Sequence, residues 1–190
     1  MTANKITMLR VALVPFFFAC TLLYYGGCGI IWAALAFVVF ALASATDKLD
    51  GYVAKKYDQI SDFGKIMDPL ADKLLVFAAL SAFTAYGDMH YIALWLILAR
   101  ELAVTSMRVV RAGKGVIVAA EFSGKLKTAV QFAAIHAILA LPLLAYVGLD
   151  FPAQYRCILT AVLSWLMAAV ALISGADYFY KNRAALKKQE

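Results

Sequence analysis

The sequence predicts an all-α integral membrane protein, a bundle of six transmembrane helices with both termini on the same side. Three observations carry this. Hydrophobic residues fill 64% of the 190 positions and charged residues only 16%, against roughly 45–50% and ~25% in soluble domains. The apolar residues gather into six runs close to the ~20 residues that a helix needs to cross a bilayer. The links between the runs alternate in charge: 17 of the 18 Lys and Arg fall on one side and only Arg156 on the other. An ordinary soluble globule, a disordered chain and a nucleic-acid-binding domain are excluded by this composition. The net charge of +6 is left for anionic head groups or phosphorylated substrates.

Taken in order, the runs are 8–25, 29–46, 66–86, 90–112, 126–147 and 153–178. The first carries Arg10 and Pro15 and lacks a small-x-small cleavage pattern, so it predicts a retained helix and not a signal peptide. The links near 26–28, 87–89 and 148–152 are short and contain Gly or Pro, which suits antiparallel hairpins. Pro69 is tolerated because it lies in the first turns of the third helix. Tyr178, Phe179 and Tyr180, just before Lys181, read as an interfacial aromatic anchor on the sixth. An even number of crossings returns both termini to the lysine- and arginine-rich side, which the positive-inside rule makes cytoplasmic. With no composition shift or repeat, residues 1–190 read as one transmembrane domain of the cell (inner) membrane. Cys20, Cys28 and Cys157 lie in or beside apolar runs and read as small hydrophobes, not as a disulfide framework.

The acids are not scattered. Six of the 12 fall between positions 47 and 72. In helical backbone Asp47 and Asp50 share a face at i, i+3, and Asp68 and Asp72 share one at i, i+4. A short link lets the two pairs face each other at the cytoplasmic interface. Four converging carboxylates repel unless something neutralises them. Hard divalent cations do this best, and bridging carboxylates hold two of them about 3.5–4 Å apart in phosphoryl-transfer sites. Gly51 and Gly64 leave room nearby for a nucleotide or another backbone. Asp58 and Asp62 fit an ordinary solvated loop.

Asp47, Asp50, Gly51, Ala54, Gly64, Asp68 and Asp72 match the pattern D-x2-D-G-x2-A-R-x8-G-x3-D-x3-D at every fixed position but one. The chain thereby resembles the CDP-alcohol phosphotransferases. The departure is Lys55, where that family has Arg: the charge is kept and the bidentate fork is lost. The resemblance extends to Asn4, Thr7 and Arg10 at the start, to the Asp-Pro-Leu-Ala-Asp-Lys run at 68–73, to Arg100, Glu101, Thr105 and Arg108, and to Gly124–Thr128. It implies a catalytic bundle in which Asp47, Asp50, Asp68 and Asp72 hold two divalent cations, Mg²⁺ or Mn²⁺, with Asp72 also the general base. It implies that Asn4, Thr7, Asp50, Gly51, Ala54, Lys55 and Gly64 hold the CDP moiety. It further implies a homodimer acting on CDP-diacylglycerol and glycerol 3-phosphate, with phosphatidylglycerophosphate and CMP as products.

Arg100 and Glu101 sit well inside the fourth run, where charge is costly, so they are expected to face a cavity. Glu101, Thr105 and Arg108 form one stripe at i, i+4, i+7 and Arg111 continues it; Lys125 and Lys127 open the fifth helix. Arg100, Thr105, Arg108, Arg111, Lys125 and Lys127 therefore make a receptor for an acceptor's phosphate. Related enzymes of the family remain the alternative, with phosphatidylglycerol (cardiolipin synthase type) or inositol phosphate as acceptor. A serine acceptor would leave the cations without purpose. A divalent-cation transporter is the remote alternative from another class. His90 and His136, each isolated, read as structural, and Asp150 and Asp177 have no partner legible in sequence.

Overall fold

The computed structural model describes residues 3–57, 62–113, 122–149 and 152–187, without the side chains of 3–7, 47–57, 62–69, 72, 112–113 and 184–187. Among the described residues the chain is six α-helices: α1 (Ala3–Tyr25), α2 (Ile30–Tyr57), α3 (Asp62–Ala85), α4 (Tyr91–Gly113), α5 (Phe122–Tyr146) and α6 (Ala153–Lys187). Every expected run is helical, but the helices overrun their apolar stretches. Past residue 46, α2 continues through the aspartate motif to Tyr57, and α6 passes the expected end at 178 to reach Lys187. Lipid only sets how long the apolar part is; a helix continues until its backbone is capped or broken. At 35 residues, α6 is about 52 Å long, some 20 Å more than a hydrocarbon core requires.

Among the described residues three helices are long and apolar enough to cross a membrane, over Met8–Tyr25, Phe122–Tyr146 and Ala153–Arg183. The apolar parts of α2 and α3, Ile30–Thr46 and Lys73–Ala85, are shorter. In α4 the apolar run is interrupted by Arg100, Glu101, Arg108 and Arg111.

Glycine closes the hairpins at one end of the bundle. Gly27 takes φ +83° after α1 and Gly148 φ +88° after α5. In each case the next residue's N–H turns back to the helix: Cys28 donates to the Leu23 carbonyl at 3.0 Å and Leu149 to that of Leu144 at 3.0 Å. This is the left-handed C-terminal cap that favours Gly. The same end is tied by Tyr25, which donates to Asp88 and stacks on Tyr86 with ring centroids 4.2 Å apart.

Side by side, the helices form a ring in the order α1, α2, α5, α6, α4, α3, with α3 closing on α1. Phe17, Phe40, Leu75, Leu80, Phe83, Ile97, Ile135 and Met167 fill its core. Ala36, Ala43, Ala79, Ala93, Ala134, Ala168 and Ala171 are buried between them and let the backbones approach. Small residues serve this purpose where lipid removes the hydrophobic drive for helix association. The ring order does not follow the chain: the backbone of α4 packs on α6, while its sequence neighbour α5 is reached only by side chains such as Glu101 to Lys127.

Candidate active site

The motif lies where α2 ends and α3 begins. Asp47 and Asp50 belong to the last turns of α2 and Asp68 and Asp72 to the first turns of α3. The two helices touch. The side chains of all four, and of Asn4, Thr7, Gly51, Ala54, Lys55 and Gly64, lie outside the described residues. The helical backbone fits the spacing argument: each Asp pair shares one face of its helix. As a donor set, four carboxylates from two adjoining helix ends match hard divalent cations.

Next to Asp72 the described side chains begin, and they form a network that joins four helices. Lys73 of α3 donates from Nζ to the Thr105 hydroxyl of α4, which donates in turn to the Glu101 carbonyl at 2.7 Å. The Glu101 carboxylate is the hub. Its Oε1 accepts from Arg100 at 3.0 Å and from Lys127 of α5. Arg100 also donates to Ser174 of α6 at 2.7 Å. Glu101 is 9% exposed and Lys127 7%, so one buried carboxylate is shared by a buried ammonium and a guanidinium and leaves one positive charge over. With Lys73 included, the network keeps an excess of positive charge beside the acidic motif.

Why α4 and α6 come together here is visible at Gly175. A Cβ added there would lie 2.9 Å from Arg100 Cγ. The Arg100 side chain therefore lies flat on bare α6 backbone, which allows the guanidinium to reach Ser174. Further along the same seam, Arg108 lies over the Tyr178 ring at 5.7 Å from its centroid. Arg111 donates to Asn182, whose Nδ2 donates to the Tyr178 carbonyl at 2.6 Å.

The six residues expected to receive an acceptor's phosphate divide into two groups. Arg100, Thr105, Arg111 and Lys127 are held by protein partners. Arg108 and Lys125 are exposed and make no hydrogen bond or ion pair among the described residues. Arg108 thus meets α6 at Tyr178 and α5 at Gly124, the residue before Lys125, and both cations keep donors to spare. Sequence reasoning did not single out Ser174, Tyr178 and Asn182 as partners of this cluster. Their i, i+4, i+8 spacing was the available signal, a polar stripe along an otherwise apolar helix. Asp177 does have partners: Ser123 at 2.7 Å and Lys181 at 2.7 Å. His136 bonds the Phe132 carbonyl at 2.7 Å between the rings of Phe37 and Phe40, and His90 stacks on Tyr91 and Trp165.

The family model described as CDP-alcohol phosphatidyltransferase matches residues 1–175. The sequence is 40% identical to the CDP-diacylglycerol–glycerol-3-phosphate 3-phosphatidyltransferase of Bacillus subtilis (strain 168), over 97% of this chain and 96% of that one. It is 37% identical to a probable phosphatidylglycerophosphate synthase of Mycobacterium tuberculosis (strain ATCC 25618 / H37Rv), over 93% of this chain and 78% of that one. A CDP-diacylglycerol–glycerol-3-phosphate 3-phosphatidyltransferase of Rickettsia bellii (strain RML369-C) is 33% identical, over 93% and 92%.

Proposed function

Since this chain belongs to the CDP-alcohol phosphatidyltransferase family, we propose that it transfers the phosphatidyl group of CDP-diacylglycerol to the 1-hydroxyl of sn-glycerol 3-phosphate, releasing CMP. The observation that carries the choice of acceptor is the pair of uncommitted cations, Arg108 on α4 and Lys125 on α5. Arg matches a phosphate bidentately and Lys adds a point charge. An acceptor without a phosphate would leave both unmatched.

Asp47, Asp50, Asp68 and Asp72 would hold two divalent cations, Mg²⁺ or Mn²⁺, which when bound neutralise charge on the donor's pyrophosphate. The CDP end rests on Asn4, Thr7, Asp50, Gly51, Ala54, Lys55 and Gly64, while the acyl chains stay in lipid. Arg108 and Lys125 orient the acceptor by its phosphate; Arg100, Thr105, Arg111 and Lys127 keep that wall of the site in place. Asp72 takes the proton of the acceptor's 1-hydroxyl. The freed oxygen forms a bond to the lipid-linked phosphorus, and the bond from that phosphorus to the CMP oxygen breaks. The single domain spans the cell membrane six times as a homodimer, with termini and site at the cytoplasmic face. The basic residues beside the motif support that orientation.

The test is CMP release by the purified protein in detergent. Release is expected to require both glycerol 3-phosphate and a divalent cation, and to stop on adding a chelator. Release that proceeds equally well with phosphatidylglycerol or inositol phosphate in place of glycerol 3-phosphate refutes the acceptor assignment. Metal flux without any CMP returns the chain to the transporter class. A second expectation concerns Arg108. Loss of a charge-assisted bond to phosphate costs about 1.5–3 kcal/mol, so Arg108→Ala raises the KM for glycerol 3-phosphate by roughly ten- to hundredfold. An unchanged KM removes Arg108 from the acceptor site.

A further inference from the structure

Resting on the reading that Arg108 receives the acceptor's phosphate, we infer that Tyr178 is a positioning residue of that site. Its ring holds the Arg108 guanidinium by the face and leaves the N–H edge free for a phosphomonoester. The arginines along this seam are anchored in different ways. Arg100 spends donors on Glu101 and Ser174, and Arg111 spends one on Asn182. Arg108 spends none on the described residues; what holds it is the Tyr178 ring, 5.7 Å from Cζ to centroid. On the α5 side it meets Gly124, where even an added Cβ would come only to 3.9 Å of Nη2. The guanidinium therefore lies between an aromatic face and a stretch of bare backbone.

A carboxylate partner would fix Arg108 as well, but it would occupy the donors and cancel the charge that a phosphate needs. An aromatic face attracts the cation through its quadrupole and leaves the in-plane donors unused. The ring is itself fixed. Tyr178 is 2% exposed, its carbonyl accepts from Asn182 at 2.6 Å, and Asn182 accepts from Arg111. The Tyr178 hydroxyl is buried with no hydrogen-bond partner among the described residues. The ring and not the hydroxyl is thus the part in use.

The experiment is steady-state kinetics of the full chain in detergent, with glycerol 3-phosphate varied at saturating CDP-diacylglycerol. Tyr178→Leu is expected to raise the acceptor KM about three- to tenfold and to leave kcat within about twofold, as loss of uniform binding does. Tyr178→Phe restores the KM. On an Arg108→Ala background Tyr178→Leu adds nothing further, because the two act as one unit. Phenylalanine with increasing ring fluorination at position 178 keeps the packing and weakens the quadrupole, so the KM rises with fluorination; this series also stands in for Tyr178→Leu if that variant does not fold. The inference is overturned if Phe behaves like Leu, if kcat falls at constant KM, or if the loss persists undiminished without Arg108. An unchanged KM in Arg108→Ala refutes the underlying acceptor reading. A raised KM there, with Tyr178→Leu and the fluorinated series silent, refutes the role of Tyr178 alone.

Discussion

Asp72→Asn is expected to abolish phosphatidyl transfer while the protein still folds and still binds CDP-diacylglycerol. Asn keeps an oxygen and nearly the same volume at this position inside α3, so the helix is expected to keep its fold. It cannot accept the proton of the attacking hydroxyl, and it offers a cation a neutral oxygen in place of an anionic one. General-base catalysis alone contributes about 10²–10⁴-fold, and weaker neutralisation of the leaving group adds to the loss. The measurement is single-turnover CMP release set beside thermal unfolding and CDP-lipid binding of the same preparation. Near-normal turnover would remove Asp72 from the base role and pass it to Asp68, its neighbour one helical turn away.

The second large effect is on stability. Glu101→Leu is expected to destabilise the bundle by about 3–5 kcal/mol, the usual cost of stripping the partner from a buried charge. Lys127, 7% exposed, and Arg100 would then face each other with Ser174 as the remaining described acceptor. The double variant Glu101→Leu with Lys127→Met is expected to recover part of the stability, since apolar side chains of similar size often replace a buried pair at little cost. Thermal unfolding in detergent with intact lipid reads both. A single variant as stable as the wild type would show that Glu101 does not balance these charges. Recovery of stability in the double variant without recovery of activity would separate the pair's packing role from its place in the wall of the acceptor site.

Much of this molecule was legible in one dimension. The six helices followed from apolar runs and short glycine-bearing links, because lipid requires each crossing segment to satisfy its own backbone and to present apolar side chains over a set length. The family followed from Asp47 to Asp72, because helical periodicity converts fixed spacing into shared faces. Helix ends were less legible: α2 and α6 outlast their apolar stretches, and nothing in a hydropathy pattern ends a helix that has already left the lipid. Glu101 was expected to stand in a stripe with Thr105 and Arg108; that it takes up Arg100 and Lys127 depends on where α5 lies.

By itself, then, the sequence determined the all-α membrane class, the acidic motif and the set of basic residues near it. Each of these is a local property, readable from hydropathy, spacing and charge along the chain. Only the tertiary structure decided which cations are spent and which are free. That division depends on the backbone of α4 packing closely against α6. The contact brings Ser174, Tyr178 and Asn182 to arginines some seventy positions earlier. Helix-to-helix choice in lipid turns on close approach at small residues such as Gly175 and on polar groups finding partners; the polar stripe of α6 is periodic in the sequence, but which helix it meets is not written there.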